Sequence, residues 1–202
     1  MKRLIILLLA MTFVFRLPAQ PARVEHNIQL GLGTYTYGPG VSSLFRLGHL
    51  AGRLSYGLDI YCSDRWSVMP EVGGKFYWEG VFAIGAVGAN FDSFSYLDFT
   101  VSARYHFADG MILGLGPMLS YTWTPGKYYI DADPSDPLNG KAKNTPLNLS
   151  LRPSLTFATV GCWRFGVEAE IGLLNVMVQY PEYGRTGNRH IHAVRLVVGV
   201  RF

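Results

Sequence analysis

Chemistry in this chain would have to come from a few residues, and each can be weighed by its type and spacing. His190 and His192 lie two residues apart, near the segment that holds His49. Imidazoles so placed could hold a metal ion, but two or three histidines at loop ends are the ordinary make-up of a solvated loop, so no metal is assigned. His106 stands beside Arg104 on an alternating run, and no serine sits at partner spacing for a base-activated nucleophile. Asp131, Asp133 and Asp136 are spaced like the start of a calcium loop, but the required glycine and closing glutamate are missing. Gly31-Leu32-Gly33 falls inside an alternating run with no helix after it, so it is not a phosphate-binding turn. The sequence assigns no catalytic residue, no cofactor and no metal. What remains is charge placed opposite charge, above all Arg152, Glu168, Glu170 and Arg195.

The elements that carry those charges are defined by a two-residue period. In the last twelve residues, Val194, Leu196, Val198, Val200 and Phe202 form one apolar face. Ala193, Arg195, Val197, Gly199 and Arg201 form the other. Side chains alternate across a strand, so this segment is oily on one side and tolerates arginine on the other. Seven earlier segments read the same way. They run from about Asn27 to Thr36, Ser55 to Tyr61, Trp66 to Trp78, Leu97 to Phe107, Ile112 to Trp123, Leu147 to Phe157 and Trp163 to Ile171. A proline at position 70 predicts a bulge in the third of these.

Connections alternate as well. The turns near Cys62, Asp109 and Thr159 are short, and the other connections are long. Aromatic residues cluster at both ends of the apolar face. Trp66, Tyr105, Phe107, Phe157, Trp163 and Phe202 fall at the short-turn end; Phe76, Trp78, Tyr121 and Trp123 fall at the other. Two aromatic belts around an apolar band, with polar residues turned inward, predict an all-β, eight-stranded, antiparallel up-and-down transmembrane β-barrel. A soluble lipocalin-like barrel would carry the opposite polarity.

The first nineteen residues stand apart. Lys2 and Arg3 precede a twelve-residue apolar run, Leu4 to Phe15, which is short for a spanning helix and suits a signal peptide. Residues 20–202 then form the barrel domain. The formal charge of +4 includes Lys2, Arg3 and Arg16, so about +1 is left after cleavage. No nucleic-acid partner is expected.

Several pieces of the chain resemble recurring parts of the small bacterial outer-membrane β-barrel domain family, which includes PorT-like and OmpX-like proteins of the porin family. They are Asp64-Arg65-Trp66-Ser67-Val68-Met69-Pro70-Glu71, Tyr96-Leu97-Asp98-Phe99, Gly116-Pro117-Met118, Gly172-Leu173-Leu174-Asn175 and the final Arg201-Phe202. The resemblance implies location in the bacterial outer membrane, contact with its lipid, and assembly by the barrel-assembly machinery. It marks Phe202 as the assembly signal. It carries no shared catalytic residues, so it speaks for fold and place more than activity.

Eight strands enclose a space that side chains fill. The inward residues include Lys75, Arg104, Arg152, Arg164, Arg195 and Arg201 against Asp59, Glu71, Asp98, Glu168 and Glu170. Near-balance predicts a plugged interior of paired charges, because an unpaired buried charge is costly. Arg152 is expected to face Glu168 across the turn after Phe157, with Arg195 beside Glu168 or Glu170. Cys62 and Cys162 lie on strands three steps apart around the wall, roughly 14 Å at ordinary strand spacing, so two free thiols are expected. The leading functional reading is a non-enzymatic barrel acting through its external loops on an envelope or host-surface partner, or supporting the envelope. A narrow porin-like channel and an accessory of a secretion or assembly system are the alternatives, with a lipid A-modifying enzyme behind them.

Overall fold

The computed structural model describes residues 23–38, 49–79, 92–107, 110–122, 127–128, 142–174, 177–178 and 190–202. The expected signal peptide (residues 1–19), the 81–89 stretch, Trp123 and the Asp131, Asp133 and Asp136 loop lie outside them.

Among the described residues there are eleven strands: β1 (Val24–Gly38), β2 (His49–Tyr61), β3 (Trp66–Glu79), β4 (Asp92–His106), β5 (Ile112–Tyr121), β6 (Lys127–Tyr128), β7 (Ala142–Asn144), β8 (Leu147–Val160), β9 (Trp163–Gly172), β10 (Met177–Val178) and β11 (His190–Arg201). Eight of them close into one antiparallel barrel in the order β1-β11-β9-β8-β5-β4-β3-β2. Closure is made by β1 on β11, with Asn27 opposite Arg201 at one end and Gly38 opposite His190 at the other. Short β6, β7 and β10 belong to the long connections and pair in a separate three-stranded sheet.

Alternation of side chains explains which face is which. Along β5 every second residue is buried, and the exposed set includes Leu113, Leu115, Leu119 and Tyr121. The same outer face carries Leu30, Leu54, Phe99, Leu196 and Phe202. The buried set is charged: Arg53, Glu71, Lys75, Asp98, Arg152, Glu168, Glu170 and Arg195. Water would not leave the large apolar groups outside and the charges inside; a hydrocarbon solvent would. Because lipid offers no partner to a backbone N–H or C=O, the sheet must close on itself, as it does. This is a transmembrane barrel of the outer-membrane type. Exposed Trp66, Phe107, Phe157 and Trp163 ring the short-turn end. Exposed Phe76 and Tyr121 mark the other.

Strands are longer than the sequence pattern suggests at the long-loop end. β2 begins at His49 rather than Ser55, and β4 begins at Asp92 rather than Leu97. No bulge forms at Pro70. It stands opposite Val101 in an unbroken register with β4, and β2 keeps one register on either side of it. The irregularity is in β8, between Thr156 and Ala158. There β8 continues to Val160, and Gly161 turns the chain with φ +61°, a conformation that costs glycine little. Elsewhere an inward glycine permits close strand approach. A Cβ at Gly33 would stand 1.9 Å from the carbonyl oxygen of Val194.

Cys62, just after β2, and Cys162, just before β9, are both free, and β1 and β11 lie between β2 and β9. Alkylation of the unfolded protein without reductant is expected to label both; a mass two hydrogens short with neither labelled would contradict the strand order. The closed barrel is expected to migrate faster on gels before boiling than after it, and identical mobility would argue against closure.

Candidate functional site

The charged side chains inside the described barrel meet one another in three tiers. They are held by parity, since each comes from the inward set of its strand.

The tier nearest the long connections centres on Glu170 of β9. Lys75 of β3 pairs with it, the Tyr77 hydroxyl donates to it at 2.5 Å, and Arg195 of β11 donates at 2.8 Å. Ser150 adds a hydrogen bond at 3.1 Å. Above this carboxylate lies a layer of Tyr35, Ala51, Tyr77, Tyr96, Ile191 and Ala193, all buried. Tyr77 lies edge-on to Tyr35, and its ring sits 5.5 Å from the Lys75 ammonium. The layer excludes water from one side of the ion pairs.

The middle tier joins six strands across the lumen. Arg53 of β2 grips Asp98 of β4 with two hydrogen bonds, at 2.8 and 3.2 Å. Arg53 also pairs with Glu71. Arg152 of β8 reaches the same Glu71 through both terminal nitrogens, at 2.8 and 2.7 Å. Two-pronged contacts of this kind fix the planes of both groups. Glu168 of β9 accepts from Arg152 at 3.3 Å and from Arg195 at 3.2 Å. The tier at the short-turn end centres on Asp59, which takes Arg104 at 2.7 Å and Arg164 at 3.1 Å. Ser67 donates to Asp59 and contacts the His106 ring at 2.7 Å. Arg164 continues to Asn27 and to Glu25, at 2.6 and 2.9 Å, and so reaches the mouth.

The four sequence-expected residues Arg152, Glu168, Glu170 and Arg195 are therefore brought together. Their strand register differs from expectation. Ser154, not Arg152, stands opposite Glu168, because the longer β8 and its bulge shift the β8–β9 pairing. The length of the arginine side chain still bridges the gap. Arg195 does stand directly opposite Glu168. Arg201, expected inside, is one-third exposed at the mouth, 3.6 Å from Glu25. Sequence reading missed Arg53 and Glu25. The signal for Arg53 was present: Leu50, Gly52 and Leu54 alternate with Ala51, Arg53 and Ser55 in continuity with the second segment. Phe202 is exposed on the outer face, and its backbone makes two hydrogen bonds with His26. Its ring stacks on the His26 imidazole at 5.4 Å. Among the described residues no group of three or more His, Cys, Asp or Glu is placed to hold a metal ion. His190 instead contacts the Leu174 carbonyl oxygen at 3.0 Å.

The tiers make unequal demands on their anions. Glu170 is the sole ion-pair partner of Lys75 among the described residues, whereas removal of Glu168 leaves Arg152 on Glu71 and Arg195 on Glu170. Glu170→Ala is expected to destabilise the barrel by about 3 kcal/mol or more, as stranded buried charges do. Glu168→Ala is expected to cost clearly less. Urea unfolding from detergent micelles measures both, and equal effects would mean that the network redistributes freely.

No protein-family model matches the chain, and no curated protein matches it. Among solved structures it is similar to Ail, the attachment invasion locus protein of Yersinia pestis, in a crystal structure in complex with the heparin analogue sucrose octasulfate. The two share 14% identity over 89% of this chain and 99% of that one, with a TM-score of 0.50. That likeness is one of fold: a small closed barrel, here with a filled interior.

Proposed function

We propose that this chain is an outer-membrane protein whose barrel is a rigid, plugged support and whose activity lies in its long external connections, as an adhesion or partner-binding module. The observation that carries this reading is the contrast between the two parts. Arg53, Lys75, Arg152, Glu168, Glu170 and Arg195 are almost wholly buried against one another, which leaves little lumen for transport. The connections between barrel strands at the opposite end from the chain terminus are long, above all residues 122–146 and 173–189. Loops displayed on a stiff scaffold are where recognition is usually placed. The Yersinia neighbour was crystallised with a heparin analogue, which makes a sulfated glycan the first ligand class to try. The connections themselves carry Lys127, Lys141, Lys143, Arg185 and Arg189 against Asp131, Asp133, Asp136 and Glu182. That slight cationic excess is compatible with such a partner.

Two measurements test the proposal. Replacing residues 122–146 with a short Gly-Ser linker is expected to abolish retention on immobilised heparin and adherence to host cells, while gel mobility still reports a closed barrel. Unchanged binding would move the activity away from these loops. Reproducible conductance steps in planar bilayers at neutral pH would instead favour a narrow channel.

Phe202 belongs to the same proposal, as the residue the barrel-assembly machinery reads. Deleting it is expected to impair membrane assembly more than Phe157→Ala, although both rings are exposed at the same end. Equal assembly of the two variants would assign Phe202 an ordinary place in the aromatic belt.

A further inference from the structure

The short-turn end of the barrel holds a cavity of about 230 Å³ that the ion-pair tiers do not fill. Tyr61, His106, Phe107, Ile112, Arg164 and Arg201 are among the residues that line it. Register brings them together. Arg164 on β9 stands opposite Gly199 on β11, and Arg201 is the next inward position toward the mouth, so the two arginines are diagonal neighbours. On another part of the wall His106 stands opposite Ile112, and the Tyr61 ring lies 4.9 Å from the imidazole. The described lining carries two arginines and no carboxylate.

Arg201 is the least committed charge at this mouth. Its ion-pair partner is Glu25, at 3.6 Å. Glu25 already takes Arg23 at 2.5 Å, Arg164 at 2.9 Å and the Tyr61 hydroxyl at 3.0 Å. The Nε–H of Arg201 reaches the Gly161 carbonyl oxygen at 3.4 Å. Both Arg201 contacts are longer than the roughly 2.7–2.9 Å of a charge-assisted hydrogen bond. The side chain is also one-third exposed. A carboxylate arriving from solvent can therefore take this guanidinium with two prongs and displace no good bond. His106 offers the complementary group. Ser67 gives its single proton to Asp59, so its oxygen accepts from the Nε2–H of His106 at 2.7 Å. The Nδ1 of the neutral ring is left as an acceptor. Phe107 and Ile112 make part of the lining apolar.

We propose that this mouth binds the C-terminal end of a peptide, with the free carboxylate on Arg201, the terminal amide N–H on Nδ1 of His106, and a small side chain against Phe107 and Ile112. Capture of a chain terminus by its carboxylate is a known mode of recognition. The volume is below the roughly 300–1,000 Å³ of sites for drug-sized ligands, so it admits one terminal residue rather than a folded partner. Short turns of such barrels face the periplasm, so the end belongs to a periplasmic protein or to a peptide of the cell wall.

The test uses the mature barrel, isotope-labelled in micelles and titrated separately with N-acetyl-L-alanine and N-acetyl-D-alanine. Saturable shifts of the Arg201 and Ile112 backbone amides are expected with at least one of them. A preference for the L form marks a protein terminus, and a preference for the D form marks a wall peptide. The matching N-acetyl-alaninamide lacks the charge and is expected to bind about tenfold more weakly or worse, the order contributed by a hydrogen bond to a charged group. Arg201→Gln is expected to cause the same loss, and Glu25→Gln, which removes the competing carboxylate, is expected to tighten binding. Heat-modifiable mobility reports whether each variant is a closed barrel. In the unaltered barrel, equal responses to acid and amide, or shifts that never saturate with either acid, would overturn the proposal. Unchanged affinity in closed Arg201→Gln would overturn it as well.

Discussion

Closure of β1 on β11 is the constraint on which everything else rests. Their pairing runs from Asn27 opposite Arg201 to Gly38 opposite His190. Without it, two strand edges would face hydrocarbon with unpaired backbone groups. The charge network would also come apart. Arg164 on β9 reaches Glu25 and Asn27 on β1, and Arg195 on β11 reaches Tyr77 on β3. These contacts span more than a hundred residues of sequence and exist only because the wall is a closed circle.

Closure and alternation decide which side chains face in, but they leave the register open. Sliding one strand by two residues past its neighbour keeps every apolar group on the lipid face. The penalty for such a slip has to come from the interior. Here it is available in specific form: Arg53 fits Asp98 with two prongs, and Arg152 fits Glu71 with two. A two-residue slip moves an inward side chain by about 6.6 Å and breaks those contacts. Buried ion pairs add little net stability compared with apolar packing of the same volume. Their consequence in this barrel is a single register, with the alternatives left holding unpaired charge.

A barrel filled in this way is held together from within. The tiers from Asp59 to Glu170 fix the wall, and the aromatic layer of Tyr35, Tyr77 and Tyr96 covers them toward the long connections. The connections can then vary in length and sequence without disturbing the charges beneath. Such a wall can support many activities, so the likeness to Ail is one of scaffold.

The sequence by itself determined the faces. Val194, Leu196, Val198 and Val200 against Ala193, Arg195, Val197 and Gly199 is a local pattern, legible without any neighbour. So were the number of barrel strands, the alternation of short and long connections, and the inward position of Arg152, Glu168, Glu170 and Arg195. Arg53 was legible too, but it lay beyond the stretch where the alternation is cleanest. The partners were decided only by tertiary structure. Arg152 binds Glu71, 81 residues away across the lumen, and stands opposite Gly116 on β5. The one-residue bulge between Thr156 and Ala158 shifted the β8–β9 pairing, and nothing in the turn sequence announced it. The physical reason is that facing has a period of two residues and is written in each strand separately. Which charge meets which depends on the register of all eight pairings together and on the closure that joins the first to the last.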